Sequence, residues 1–150
     1  MKKLIAIALL MLTVTACSKK ERVLHVLQAP KSMVVGDDKR GYKLVLDEMH
    51  DTVIWFSDRP DRKAGKVYIH DFLKAWDQGK DSFKADPPNA VLIIDRGRPV
   101  VIEMTLENYN DERAIFKIKP LDSKEFTLSD KSGAATLYID ANTVNPMITD

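Results

Sequence analysis

Apolar and polar positions alternate with a period of two over most of the chain after residue 22, and with a helical period over one short stretch. The clearest run is Val100 to Leu106. Val100, Ile102, Met104 and Leu106 fall on one side, and Glu103, Thr105 and Glu107 on the other. Such alternation predicts a strand with one buried and one wet face. Ala114, Phe116 and Ile118, interleaved with Lys117 and Lys119, repeat it. Residues 108–112 lie between the two runs, so an antiparallel hairpin with a longer loop is expected. Tyr42, Leu44 and Leu46 alternate with Lys43 and Asp47 in the same way. Residues 23–27 and 33–35 read as two separate short strands, the second closed by the turn signal Gly36-Asp37-Asp38. Residues 52–56 are β-branched and aromatic, a composition that suits a pleated surface. Residues 91–94 are apolar without a break, which predicts a strand covered on both faces. Residues 126–128 and 135–139 complete the set, with a turn around Asp130 to Gly133.

One segment departs from this period. Ile69, Phe72, Leu73 and Trp76 follow the i, i+3, i+4, i+7 spacing of a helix face. Asp71 suits the positive end of the helix dipole, and Gly79 can end the helix in a left-handed conformation. The order of elements therefore predicts a mainly β fold, an antiparallel β-sandwich or open barrel carrying one short α-helix at about residues 70–78. A parallel α/β sheet would need repeated helices.

The first residues change the picture. Lys2 and Lys3 precede an apolar run from Leu4 to Leu12, followed by small and β-branched residues up to Ala16. These are the parts of an exported signal peptide, and the run is shorter than the roughly 20 residues of a membrane-spanning helix. It ends in Val14-Thr15-Ala16-Cys17, which resembles the lipobox of bacterial lipoproteins. The resemblance implies cleavage before Cys17 and acylation of its thiol. The chain then divides into a signal peptide (1–16), a lipidated cysteine with a short polar tether (17–22) and a β-rich domain (23–150). The expected location is the cell envelope, lipid-anchored. Ser18 follows the cysteine where an aspartate would resemble an inner-membrane retention signal, so the outer membrane facing the periplasm is favoured. Cys17 is the single cysteine in 150 residues, so the domain is expected to fold without a disulfide. Cleavage removes Lys2 and Lys3 from 23 basic residues set against 22 acidic ones. The remaining near-neutral domain lacks the cationic surface that nucleic acid attracts.

Candidate chemistry is sparse. Residues 55–65 read WFSDRPDRKAG, directly after an apolar strand. Arg59 and Arg62, with Asp58, would suit an anion clamp, because each guanidinium offers a planar fork of donors. The other reading is a turn in which Asp58 accepts backbone N–H bonds and Pro60 stiffens the chain. It is favoured because charge clusters after strands usually serve turns and solvation. Ala85-Asp86-Pro87-Pro88-Asn89-Ala90 could serve as a peptide-like ligand, but reads better as a rigid lead into the following strand. His25, His50 and His70 fit no metal-ligand spacing, and Met33, Met49, Met104 and Met147 are too scattered for a copper site. No nucleophile elbow, P-loop or dinucleotide fingerprint is present, and no cofactor beyond the covalent lipid is expected.

The blocks WFSDRP followed by AG, then DPPNA, then ATLYID resemble recurring signatures of small exported bacterial domains of unknown function. The expected function is a membrane-anchored envelope lipoprotein with a non-catalytic β-rich binding or interaction domain. Its partners would be the membrane, through the anchor, and an envelope protein. A small-ligand- or metal-binding lipoprotein and an envelope hydrolase are the alternatives. The first would need Arg59 and Arg62, or the adjacent pairs His50-Asp51 and His70-Asp71, to converge in a pocket; the second would need an acid, base and nucleophile together in a cleft.

Overall fold

The computed structural model describes residues 22–79, 82–122, 128 and 131–141. Its strands are β1 (Val23–Asp37), β2 (Gly41–Asp47), β3 (Thr52–Ser57), β4 (Ala64–Tyr68), β5 (Asn89–Ile94), β6 (Val100–Tyr109), β7 (Arg113–Pro120) and β8 (Ser132–Ala141). Every pairing is antiparallel. Six strands close in the order β1-β2-β7-β6-β5-β8 and back to β1. β3 and β4 extend the sheet sideways from the first part of β1, so the expected mainly β architecture takes the form of a barrel with a two-stranded flap.

β1 makes this shape possible. The two strands expected at residues 23–27 and 33–35 are one strand of 15 residues. Its register against β8 shifts between Ala29 and Ser32, around Pro30, which has no N–H to donate. The shift changes which alternate positions face inward, from Val23, His25, Leu27 and Ala29 to Ser32 and Val34. It also lets the two halves of β1 take different partners on one side. Residues 23–26 pair with β3, residues 31–37 pair with β2, and β8 runs along the other side. Buried Ser32 is satisfied by donating its hydroxyl to the Gly133 carbonyl at 2.8 Å.

The barrel interior holds Leu27, Val34, Leu44, Leu92, Ile102, Met104, Phe116 and Leu137, all buried. The helical segment is α1 (Ile69–Lys74) continued by one 3-10 turn (Ala75–Asp77), within a residue of the expected start and end. Its four spaced apolar residues are all buried, as the helical period requires. The Trp76 ring packs in tilted contact with Phe116 of the barrel wall, centroids 5.2 Å apart, and with Phe83 at 4.7 Å. His25 packs into the same cluster, 5.1 Å from the Phe72 ring and 6.3 Å from Phe83.

Three expectations are corrected. β4 lies where only a turn was read; it is an edge strand with little buried side-chain area and is held chiefly by its backbone ladder to β3. β5 is not covered on both faces: Ala90, Leu92 and Ile94 point into the barrel, while Val91 and Ile93 stay partly exposed outside. The β6–β7 loop is shorter than residues 108–112. It spans only 110–112, where the Asn110 side chain accepts the N–H groups of Glu112 and Arg113 at 3.0 and 2.8 Å. Of the strand expected at 126–128, only Leu128 lies within the described residues, and it is buried. The signal peptide, Cys17 and Met147 lie outside them.

The pairing of β3 with β4 explains the glycine in the AG block. Gly65 sits opposite Trp55, and a Cβ there would approach the indole to 2.8 Å. Gly65→Ala is expected to displace Trp55 and cost about 1–3 kcal/mol, read as a lower denaturant midpoint.

Candidate functional site

The loop between β3 and β4 carries the charge cluster that stood out in the sequence. Asp58 works largely on the backbone: its carboxylate accepts the Arg59 N–H at 2.7 Å and its carbonyl accepts the Arg62 N–H at 3.2 Å. Arg62 adopts a left-handed φ of 48°, and the Arg59–Pro60 peptide is cis. Ser57 and Lys63 close the loop's base. The Ser57 N–H donates to the Lys63 carbonyl at 2.8 Å, and the Lys63 N–H donates to Ser57 Oγ at 3.0 Å. Neither the Arg59 nor the Arg62 guanidinium forms an ion pair among the described residues. These side chains are exposed on the loop rather than gathered over Asp58 in a pocket.

Beside the loop, a shallow groove of about 450 Å³ runs over the outer wall of the barrel. It is lined by residues from the three blocks noted in the sequence: Phe56, Ser57 and Asp58 from WFSDRP, Asn89 and Ala90 from DPPNA, and Tyr138 and Asp140 from ATLYID. The strand register brings them together, because β3, β1, β8 and β5 are sheet neighbours although far apart in the chain. Leu24, Val91 and Val101 supply the rest of an apolar floor. Arg22, Asp58 and Asp140 supply the charges at its side, and the Asp58 N–H donates to the Arg22 carbonyl at 3.0 Å. Asp58 is thus the one proposed clamp residue that reaches the groove; Arg59 and Arg62 do not line it.

The floor continues as a row. Ile54 pairs with Val26, Val26 with Tyr138, Tyr138 with Val91, and Val91 with Val101. Leu121 extends it, its N–H donating to the Val101 carbonyl at 2.9 Å. Directly opposed residues in antiparallel strands share a face, so these six side chains all stand on the outside. Ile54, Phe56, Val101 and Tyr138 remain 43%, 44%, 39% and 38% exposed. Exposed apolar surface of this continuity is of the kind at which proteins make contacts.

Sequence reading named the blocks but missed the row. The signal was in the same runs. Val-Leu-His-Val-Leu, Val-Ile-Trp-Phe and Val-Leu-Ile-Ile are apolar at both parities. A barrel wall buries only its inner face. The second parity therefore had to be surface.

Other features hold less. A second hollow of about 470 Å³ is bordered by Glu103, Lys117 and Lys119, charged side chains of the β6–β7 hairpin, and by Tyr42, whose hydroxyl donates to Asp38 at 2.6 Å. Among the described residues no three of the His, Cys, Asp and Glu side chains gather as a metal site would require. The histidines are separated: His25 lies in the core, His70 faces Asp111 at 3.6 Å on the surface, and the His50 N–H donates to the Gln28 carbonyl at 3.0 Å. Met33 is exposed while Met104 is inside the barrel. Burial pushes the His25 imidazole from 6.5 down to about 4, and its Nδ1 has no hydrogen-bond partner among the described residues. No helix among the described residues is long and apolar enough to cross a membrane.

No protein-family model, no curated protein and no solved structure matches the chain. What the molecule does is therefore read from its own geometry.

Proposed function

We propose that this chain is a lipid-anchored protein of the bacterial cell envelope, acylated at Cys17, whose barrel acts as a non-catalytic binding module through the outer groove. The observation that carries the reading is the convergence of the three sequence blocks on one largely apolar groove. That surface has the properties of a contact site: an apolar floor, a few charges to one side, and no set of paired acid, base and nucleophile within it. The lipobox-like VTAC supports the anchor, and the short tether brings the chain to Arg22 at the groove's side. On this reading Arg59 and Arg62 sit on a neighbouring loop, free to add electrostatic contacts to whatever occupies the groove. The outer membrane, with the barrel facing the periplasm, is the proposed location.

The anchor is tested directly. Cys17→Ser is expected to abolish incorporation of labelled fatty acid and to remove the protein from the membrane-anchored fraction. Persistent labelling of the variant would sink the assignment.

A further inference from the structure

We propose that the outer row Ile54–Val26–Tyr138–Val91–Val101–Leu121 is the membrane-facing side of the barrel, and that its occupant is the phospholipid surface beneath the anchor. This rests on the lipid-anchored reading above and names the partner of that same groove.

The first argument is reach. Arg22 lies five residue steps beyond Cys17, and an extended chain of that length spans at most about 17 Å. Arg22 and Leu24 both line the groove, so the tether delivers the bilayer to this wall of the barrel. A surface held so close acts at high effective concentration, and weak apolar contacts suffice to keep it seated.

The second argument is the make-up of the row. It crosses five strands and the residue just beyond a sixth, about 24 Å along the sheet at the usual strand spacing, without a charged side chain. A tyrosine stands within it, an amphipathic ring of the kind enriched where hydrocarbon meets headgroups. Cations flank it. Lys66 pairs with Ile54 at one end, and Arg22 stands at the groove. Long basic side chains at the margin of an apolar surface suit anionic headgroups. Two carboxylates also line the groove: Asp140 lies two residues from Tyr138 along β8, about 7 Å from the row, and Asp58 stands on the side where Arg22 offers a cation.

The test uses the full acylated protein carrying Val101→Cys or Tyr138→Cys in the row, or Lys117→Cys on β7. Lys117 is a fair control, because β7 is three strands from β8 either way round the barrel and Lys117 lies four residues, about 13 Å, along the strand from the row's end at Leu121. Each introduced thiol receives an environment-sensitive dye. The protein is then reconstituted in phosphatidylethanolamine–phosphatidylglycerol vesicles holding no other protein. Dyes at 101 and 138 are expected to shift to the blue and to lose most of their emission to a quencher on the lipid chains. The dye at 117 should stay open to aqueous iodide. Two row positions guard against one label disturbing the fold. Equal aqueous quenching at all three sites overturns the proposal and leaves the groove for a protein partner. The mass of Cys17 and flotation of the same samples separate the two readings. An unacylated protein that fails to float overturns the anchor and this proposal together. An acylated, floating protein with water-exposed 101 and 138 overturns this proposal alone.

Discussion

Acidification from pH 7 toward pH 4 is expected to strip about 3 kcal/mol of stability through His25 alone. The sign follows from the direction of its shift. In the fold the imidazole protonates near pH 4, and in the unfolded chain near 6.5. Between those values the unfolded state binds the extra proton, so stability is fully present above 6.5 and falls as pH drops toward 4. The cause is geometric: the ring is buried against Phe72 and Phe83, where a positive charge loses its water and, among the described residues, meets no carboxylate in return. His25→Leu keeps an apolar group of similar reach and removes the titration. Denaturant unfolding measured from pH 7 to 4.5 should show a steep loss for the parent chain and a much flatter one for the variant. A parent as stable at pH 5 as at pH 7 would contradict the placement of His25 in the cluster.

Trp76→Ala is expected to lower the unfolding free energy by about 3–5 kcal/mol. Trp76 is among the largest fully buried side chains and joins three rings, Phe72 on its own helix, Phe83 after it and Phe116 in the barrel wall. Truncation removes the aromatic area and leaves a hole whose walls are fixed by separate elements, so collapse onto it is poor. Domains of this size are stable by about 5–15 kcal/mol, so a loss of that order takes a large share. The midpoint in urea should fall while the slope stays close to that of the parent. Trp76→Phe, which keeps a ring in the site, should lose less.

How much of this was legible in the chain depends on which force fixes each element. Strands that bury one face announced themselves, because Val100 to Leu106 and Tyr42 to Leu46 are segregated by the pleat. The helix was legible for the same reason, with a different period. β4 was hidden because Ala64-Gly65-Lys66-Val67-Tyr68 buries little, and backbone pairing carries no side-chain signature. The unity of β1 was hidden because Pro30 and Lys31 interrupt its alternation at the point where the bend is needed. Closure into a barrel depends on the pairing of residues 23–29 with 135–141, a long-range fact that no local pattern encodes. The groove fell between these cases. Its three blocks stood out as wording, but only the strand order shows that Phe56, Asn89 and Tyr138 are neighbours.

The shared strand β1 also sets an order of events for the folding chain. Its second half finds β2 almost at once, across a three-residue connection, and its first half finds β3 soon after. Its other edge waits for β8, more than a hundred residues downstream, so contacts that close the barrel are among the most distant in sequence. Until then β1 presents a row of unpaired N–H and C=O groups, the feature by which strands recruit neighbouring chains. A chain emerging N-terminus first is thus committed to a slow last step, and the time before β8 arrives is when it is most open to the wrong partner.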